Sequence, residues 1–170
     1  MEQTIPDRAE APSAFFEMTR HPLKFRLFMM KNLPAALFSG VKLEEADPEH
    51  TIVSVPYRWF TRNPFRSTYF ACLAMAAEMS TGILAMSNVH NRTPGVSMLV
   101  TGIEGRFIKK ATGLTRFICE EGNRIKQAVA DAVNSGDPQT VKALSMGYND
   151  KNEPVAEFYI TWSFKRKRGP

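Results

Sequence analysis

Residues 68–86, Thr-Tyr-Phe-Ala-Cys-Leu-Ala-Met-Ala-Ala-Glu-Met-Ser-Thr-Gly-Ile-Leu-Ala-Met, limit the fold more than any other stretch. Ala, Leu and Met dominate, Pro is absent and β-branched residues are few, a composition that favours helix. Ser67 or Thr68 is expected to cap its start. A helix over this stretch is about 28 Å long. It is apolar on almost every face, and such a helix is buried all round, in a protein core or in a bilayer. One carboxylate, Glu78, interrupts it near its middle. The rest of the chain is expected to be a sheet that wraps this helix.

At 170 residues the chain is long enough for one domain with a real core. The net charge of +5 is modest and much of it sits in Lys165-Arg166-Lys167-Arg168. No basic stripe interleaved with aromatics appears, so nucleic acid is not an expected partner. Cys72 and Cys119 are isolated; a cysteine on a buried helix reads as a packed thiol in a reducing compartment, and a cytoplasmic location is expected. The N-terminus lacks a basic-then-apolar signal sequence. No Cys/His spacing resembles a zinc site, and no metal or cofactor is expected. A P-loop, a Gly-rich dinucleotide loop and a Gly-x-Ser-x-Gly elbow are all missing. His21, His50 and His90 are scattered, with no Ser or Cys partner implied.

Along the chain, residues 1–14 read as a loose segment, 15–165 as one domain and 166–170 as a basic tail. From Phe15 to Phe38 the pattern is helical, broken at Pro22 and near Pro34. Phe25, Phe28, Met29, Leu33 and Leu37 form one apolar face. This region reads as a helix over a sheet edge or a pocket mouth, in preference to a membrane-surface helix, because the Pro breaks shorten each piece. Strands are expected over Val41–Ala46, Thr51–Phe60, Val96–Lys110, Leu114–Glu120, Val141–Tyr148 and Val155–Phe164. In Thr51–Phe60, Val53, Val55, Tyr57 and Trp59 share a face, and Pro56 places the strand at an edge or a bulge. Gly102 and Gly105 suggest a bulge or bend. Arg124–Asn134 reads as a short helix, or as part of an insertion in a long hairpin. The last strand has clean period-two patterning. Strands and helices do not alternate, so the class is α+β with a mainly antiparallel sheet.

A single apolar helix between a leading hairpin and a later meander resembles the hotdog fold. The segment Asn63–Glu78 resembles the signature of hotdog acyl-CoA thioesterases. More narrowly, the chain is similar to the thioesterase-like family of unknown function related to the phenylacetyl-CoA type, over roughly residues 21–165. In that type an Asn precedes the helix, His-Gly-Gly starts it and an acid follows on it. Asn63 and Glu78 match the first and last. The His-Gly-Gly positions fall on Tyr69, Phe70 and Ala71. The glycines let backbone approach a thioester closely; here side chains intervene, so the resemblance implies a different acyl pocket or weakened machinery.

The residues themselves suggest the same chemistry. Thioester hydrolysis needs a donor for the developing oxyanion and a base for water. The first-turn N–H groups near Phe70 and Ala71 lack intrahelical partners and carry the positive end of the helix dipole. Glu78 is a candidate base, with Ser80 and Thr81 close enough in sequence to orient it or a water. It lies eight residues after Phe70, about 12 Å along the axis. One chain cannot put both groups on one carbonyl, whereas two antiparallel copies can. A homodimer, or a dimer of dimers, is therefore expected, with catalysis by Glu78 and Asn63. Substrate contacts are expected from Thr68, Tyr69, Phe70, Ala71 and Met75, and an acyl pocket from Met75, Met79, Tyr57 and Trp59. Three alternatives stay open: Glu78 paired with Arg58, Arg62 or Lys109 as a structural carboxylate; a non-catalytic acyl- or lipid-binding protein; and, lowest in rank, insertion of 68–86 in a membrane.

Overall fold

The computed structural model describes residues 11–167. Three short helices lead: α1 (Ala11–Arg20), α2 (Pro22–Asn32) and α3 (Pro34–Ser39). Then come strands β1 (Lys42–Ala46) and β2 (Thr51–Val55), a 3-10 turn at Trp59–Thr61, and the long helix α4 (Phe70–Val89). Strands β3 (Val96–Phe107) and β4 (Thr115–Cys119), helix α5 (Gly122–Ser135), and strands β5 (Gln139–Tyr148) and β6 (Pro154–Arg166) complete the chain. One six-stranded sheet runs in the order β1-β2-β4-β5-β6-β3, antiparallel at every pairing. Helix α4 connects β2 to β3, so it crosses one face of the sheet towards the far edge, and the sheet curves round it. This is the hotdog fold, and α4 is its core helix, buried by protein.

Hydroxyls fasten the helix to the sheet. Thr51 Oγ1 donates to Ser80 O at 2.6 Å. The Ser80 and Ser145 hydroxyls share a 2.8 Å hydrogen bond. Trp162 Nε1 donates to Thr81 Oγ1 at 2.9 Å. Each pair joins α4 to a different strand, which fixes the rotation of a helix whose apolar surface alone has no preferred side.

Several boundaries differ from expectation for local reasons. Helix α1 begins at Ala11, inside the segment expected to be loose; residues 1–10 lie outside the described residues. Strand β2 stops at Val55 rather than Phe60. Pro56 cannot donate to the ladder, and its carbonyl accepts the Thr61 hydroxyl at 2.6 Å, folding 56–61 into a turn. Neither Ser67 nor Thr68 caps α4: the cap residue is Tyr69, with no side-chain bond. Both the Thr68 N–H and its hydroxyl instead donate to Ala111 O, at 2.7 and 3.1 Å. Helix α5 is an insertion between two strands that pair directly, so both readings of that region hold at once. The ladder slips between Val100 and Gly102, as the glycines implied. Strand β6 runs through Arg166, one residue into the expected tail; the tail residues 168–170 lie outside the described residues.

Candidate functional site

The start of α4 opens on a cleft of about 830 Å³, lined by Arg62, Asn63, Thr68, Tyr69, Phe70 and the end of β3 at Phe107, among others. Asn63 builds its rim. Its Oδ1 accepts from the N–H groups of Phe65 and Ser67 and from the Ser67 hydroxyl, at 3.0–3.2 Å. Its Nδ2 donates to Thr68 O at 3.4 Å. The side chain thus shapes the loop that leads into the helix. Beyond that loop, Tyr69 N–H donates to Thr61 O and Cys72 N–H to Tyr69 O. The N–H groups of Phe70 and Ala71 have no acceptor among the described residues. Two first-turn donors at a positive helix end therefore stand ready for an oxygen.

Glu78 faces a different space. Two adjoining cavities of about 220 Å³ each lie under α2 and α3, and Glu78, Met79, Asn32 and Leu33 line both. The first is lined also by Phe15, Phe28, Met98 and Trp162, the second also by Met75 and Ala36. The carboxylate makes no hydrogen bond or ion pair among the described residues. Burial pushes its pKa above the ordinary carboxylate range. None of the three expected cations pairs with it. Arg58 packs over Gly40 and donates to Phe38 O; Lys109 pairs with Glu153 at 3.0 Å; Arg62 lies at the helix-start cleft. Ser80 and Thr81 do not orient the carboxylate either. Ser80 bonds Ala77 O and Ser145, and Thr81 donates to the main-chain carbonyl of Glu78.

Gly82 is the residue that the sequence reading missed here. A Cβ on Gly82 would lie 3.1 Å from Glu78 Oε1 and 3.4 Å from the Trp162 ring. The glycine, one turn after the acid, makes room for the carboxyl over Trp162. Its spacing was the available signal. Of the expected pocket residues, Met75 and Met79 do line the cavities at Glu78, whereas Tyr57 and Trp59 line neither, because β2 ends before them. Thr68, Tyr69 and Phe70 line the helix-start cleft, and Ala71 contributes its N–H beside it. Within one chain the two groups of residues occupy separate spaces.

The strand between those spaces is unfinished. Among the described residues β3 pairs only with β6, which leaves its other edge open. Ile103 and Phe107 lie opposite the buried Ile160 and Ala156, yet each is 53% exposed, because no helix among the described residues covers that end of the face.

The family described as a domain of unknown function, DUF4442, matches residues 24–164. A search of curated proteins finds no match. Among solved structures, a Pseudomonas aeruginosa protein of unknown function, described as a probable thioesterase, superposes with a TM-score of 0.73 at 20% identity, covering 86% of this chain and 97% of that one. A protein of unknown function from Chlorobaculum tepidum gives 0.73 at 16% identity, with 92% and 97% covered. A thioesterase from Haemophilus influenzae gives 0.59 at 13% identity, with 82% and 88% covered. At these identities the likeness is one of fold.

Proposed function

The chain belongs to the DUF4442 family, and from that premise we propose that it is an acyl-thioester hydrolase, acting on acyl-CoA at a site shared by two copies. The observation that carries the reading is Glu78: a carboxylate with no partner among the described residues, facing apolar space on a core helix. Such a group is costly to hold without a role. Its raised pKa also makes it a better base than an ordinary carboxylate.

The thioester carbonyl oxygen sits on the N–H groups of Phe70 and Ala71 in one copy. Glu78 of the other copy takes a proton from water, and the resulting hydroxide attacks the carbonyl carbon. The tetrahedral intermediate collapses, the C–S bond breaks, and Glu78 returns its proton to the leaving thiolate. Asn63 is a positioning residue that holds the loop into the helix. Thr68, Tyr69, Phe70 and Met75 contact the acyl thioester. Arg62, Lys109 and Lys110 at the cleft suit the phosphates of a CoA carrier.

The open edge and uncovered end of β3 support the shared site. Two β3 strands paired antiparallel about an axis between Gly102 and Ile103 set Met98, beside Glu78, opposite the partner's Phe107, beside the helix start. Pairing also satisfies backbone that a lone copy leaves exposed. A homodimer, alone or as half of a dimer of dimers, meets this need. The buried thiols support a cytoplasmic location.

A second reading is a non-catalytic acyl- or lipid-binding protein. It is favoured by the side chains of Phe70 and Ala71, which stand where the related thioesterases have glycines; the Phe70 ring packs edge to face on Tyr69 at 4.8 Å. Thiol release from a panel of acyl-CoAs, run beside acyl-CoA binding, separates the two. For hydrolysis, Glu78→Gln lowers turnover by about 100-fold, leaves binding almost unchanged, and holds or raises the melting temperature. A stable Glu78→Gln protein with full activity ends the assignment of Glu78 as base; binding without thiol release by the unaltered protein favours the second reading.

A further inference from the structure

Helix α2 is apolar on two opposite sides. Phe25 and Met29 are buried against the body of the protein. Leu23, Leu27 and Met30 are 71%, 60% and 50% exposed. At about 100° per residue the three exposed residues fall within a sector of roughly 60°, directly opposite Phe25 and Met29. Arg26 flanks this outward stripe on one side, and Lys24 and Lys31 flank it on the other. The sequence around it is uniform in sign: from Met18 to Leu43 it carries Arg20, Lys24, Arg26, Lys31 and Lys42, and neither Asp nor Glu.

These features specify an occupant. The inward anchors hold α2 flat on the molecule, so its outward stripe meets a plane rather than a groove. The cations require that plane to be negative. A symmetric contact with a second copy would set cations against cations, with no carboxylate in the segment to offset them. An apolar stripe bordered by Lys and Arg, lying parallel to a surface, is the chemistry of an interfacial helix on anionic lipid.

We propose that α2 docks the protein on anionic bilayer surfaces, inserting Leu23, Leu27 and Met30 between headgroups while Lys24, Arg26 and Lys31 contact lipid phosphates. The docking is peripheral, and α4 stays in the protein core. It does not depend on the hydrolase reading, since none of these side chains belongs to the site.

The test is cosedimentation of the full chain with vesicles of phosphatidylcholine alone and with about one-third phosphatidylglycerol. The full chain should pellet with the anionic vesicles at low salt, much less so at high salt, and little with the neutral ones. The double variant Lys24→Gln, Lys31→Gln loses two cations and should bind anionic vesicles roughly 25-fold more weakly, at about fivefold per cation. Leu27→Asp should abolish pelleting without changing the melting temperature, because Leu27 supports nothing in the core. If Leu27→Asp proves unstable, the double variant alone decides. Failure of the unaltered protein to pellet with anionic vesicles overturns the proposal. So does equal, salt-independent binding to neutral vesicles, and so does a loss of oligomer in Leu27→Asp, which would give the stripe to a second copy.

Discussion

The two ends of the concave sheet face are finished to different degrees. Helix α4 lies over β2, β4 and β5, and α5 packs beside it over β5 and β6. Val53, Phe117 and Ala143 on the strands, with Leu84 on α4 and Ile125 and Val129 on α5, have no exposed surface at all. At the far end of β3 the same inward row continues, but Ile103 and Phe107 remain half exposed. Both ends are apolar and both belong to one ladder. The difference is coverage: among the described residues the helices enclose one end and leave the other open. Catalysis, on our reading, sits across that division. The base lies beside the Met98 end of β3 and the oxyanion donors beside its exposed Phe107 end.

Substitutions at the two ends should therefore fail in different ways. The largest effect is expected in the closed end. Leu84→Ala leaves a cavity in a fully enclosed layer and should cost about 2–5 kcal/mol in denaturant unfolding. A cost near zero would mean that the layer is loose, and the contrast with β3 would collapse. Next comes the open end. Ile103→Lys should leave monomer stability within about 0.5 kcal/mol, yet weaken self-association by roughly 30-fold, as for removal of one central apolar anchor of an interface. Sedimentation velocity over a concentration series reads this directly. An unchanged association constant would move the interface elsewhere.

A smaller effect concerns pH. The folded-state pKa of Glu78 is raised, so the folded protein keeps a proton that the unfolded chain has already released. The stability penalty from Glu78 is absent below the ordinary carboxylate range, grows as pH rises from there to the raised value, and is constant above it. Glu78→Gln should thus gain in melting temperature relative to the parent at pH 8 but not at pH 4. Hydrolysis by the parent should rise with pH along a limb displaced upward from ordinary carboxylates. A melting-temperature difference independent of pH would mean that the carboxyl is solvated. The smallest effect belongs to the closed end again. Burial raises the Cys119 pKa to about 12 and that of Cys72 above its ordinary value. Neither thiol should react with a small alkylating reagent at neutral pH until the protein unfolds, as followed by mass spectrometry. Rapid native-state labelling would show that the helix–sheet layer opens.

Much of this architecture was legible in the residues. Apolar character on every side of 68–86 allowed only a fully surrounded helix. The alternation from Val155 to Phe164 required a strand with one buried face, and Gly102 marked the bulge in β3. Details that depend on competition for hydrogen bonds were not legible. Thr68 is a good capping residue, but Ala111 O takes both its donors, and the helix starts at Phe70 instead. Tyr57 and Trp59 continue an alternating pattern, yet Thr61 closes a turn onto Pro56 and removes them from the pocket. Asn63 looked like a catalytic residue and is committed largely to its own loop.

Periodicity and composition act over one element at a time, so the sequence by itself determined the element types, the antiparallel class and the need to bury Glu78's helix. The environment of Glu78 was decided only in three dimensions. Residues from α1, α2, β3 and β6 meet there, from Phe15 to Trp162 along the chain, and all but Asn32 among those lining its first cavity outside α4 are apolar. Whether a half-buried carboxylate meets a cation or an apolar space depends on which distant segments converge on it. That convergence is set by packing of the whole core, which no local pattern encodes.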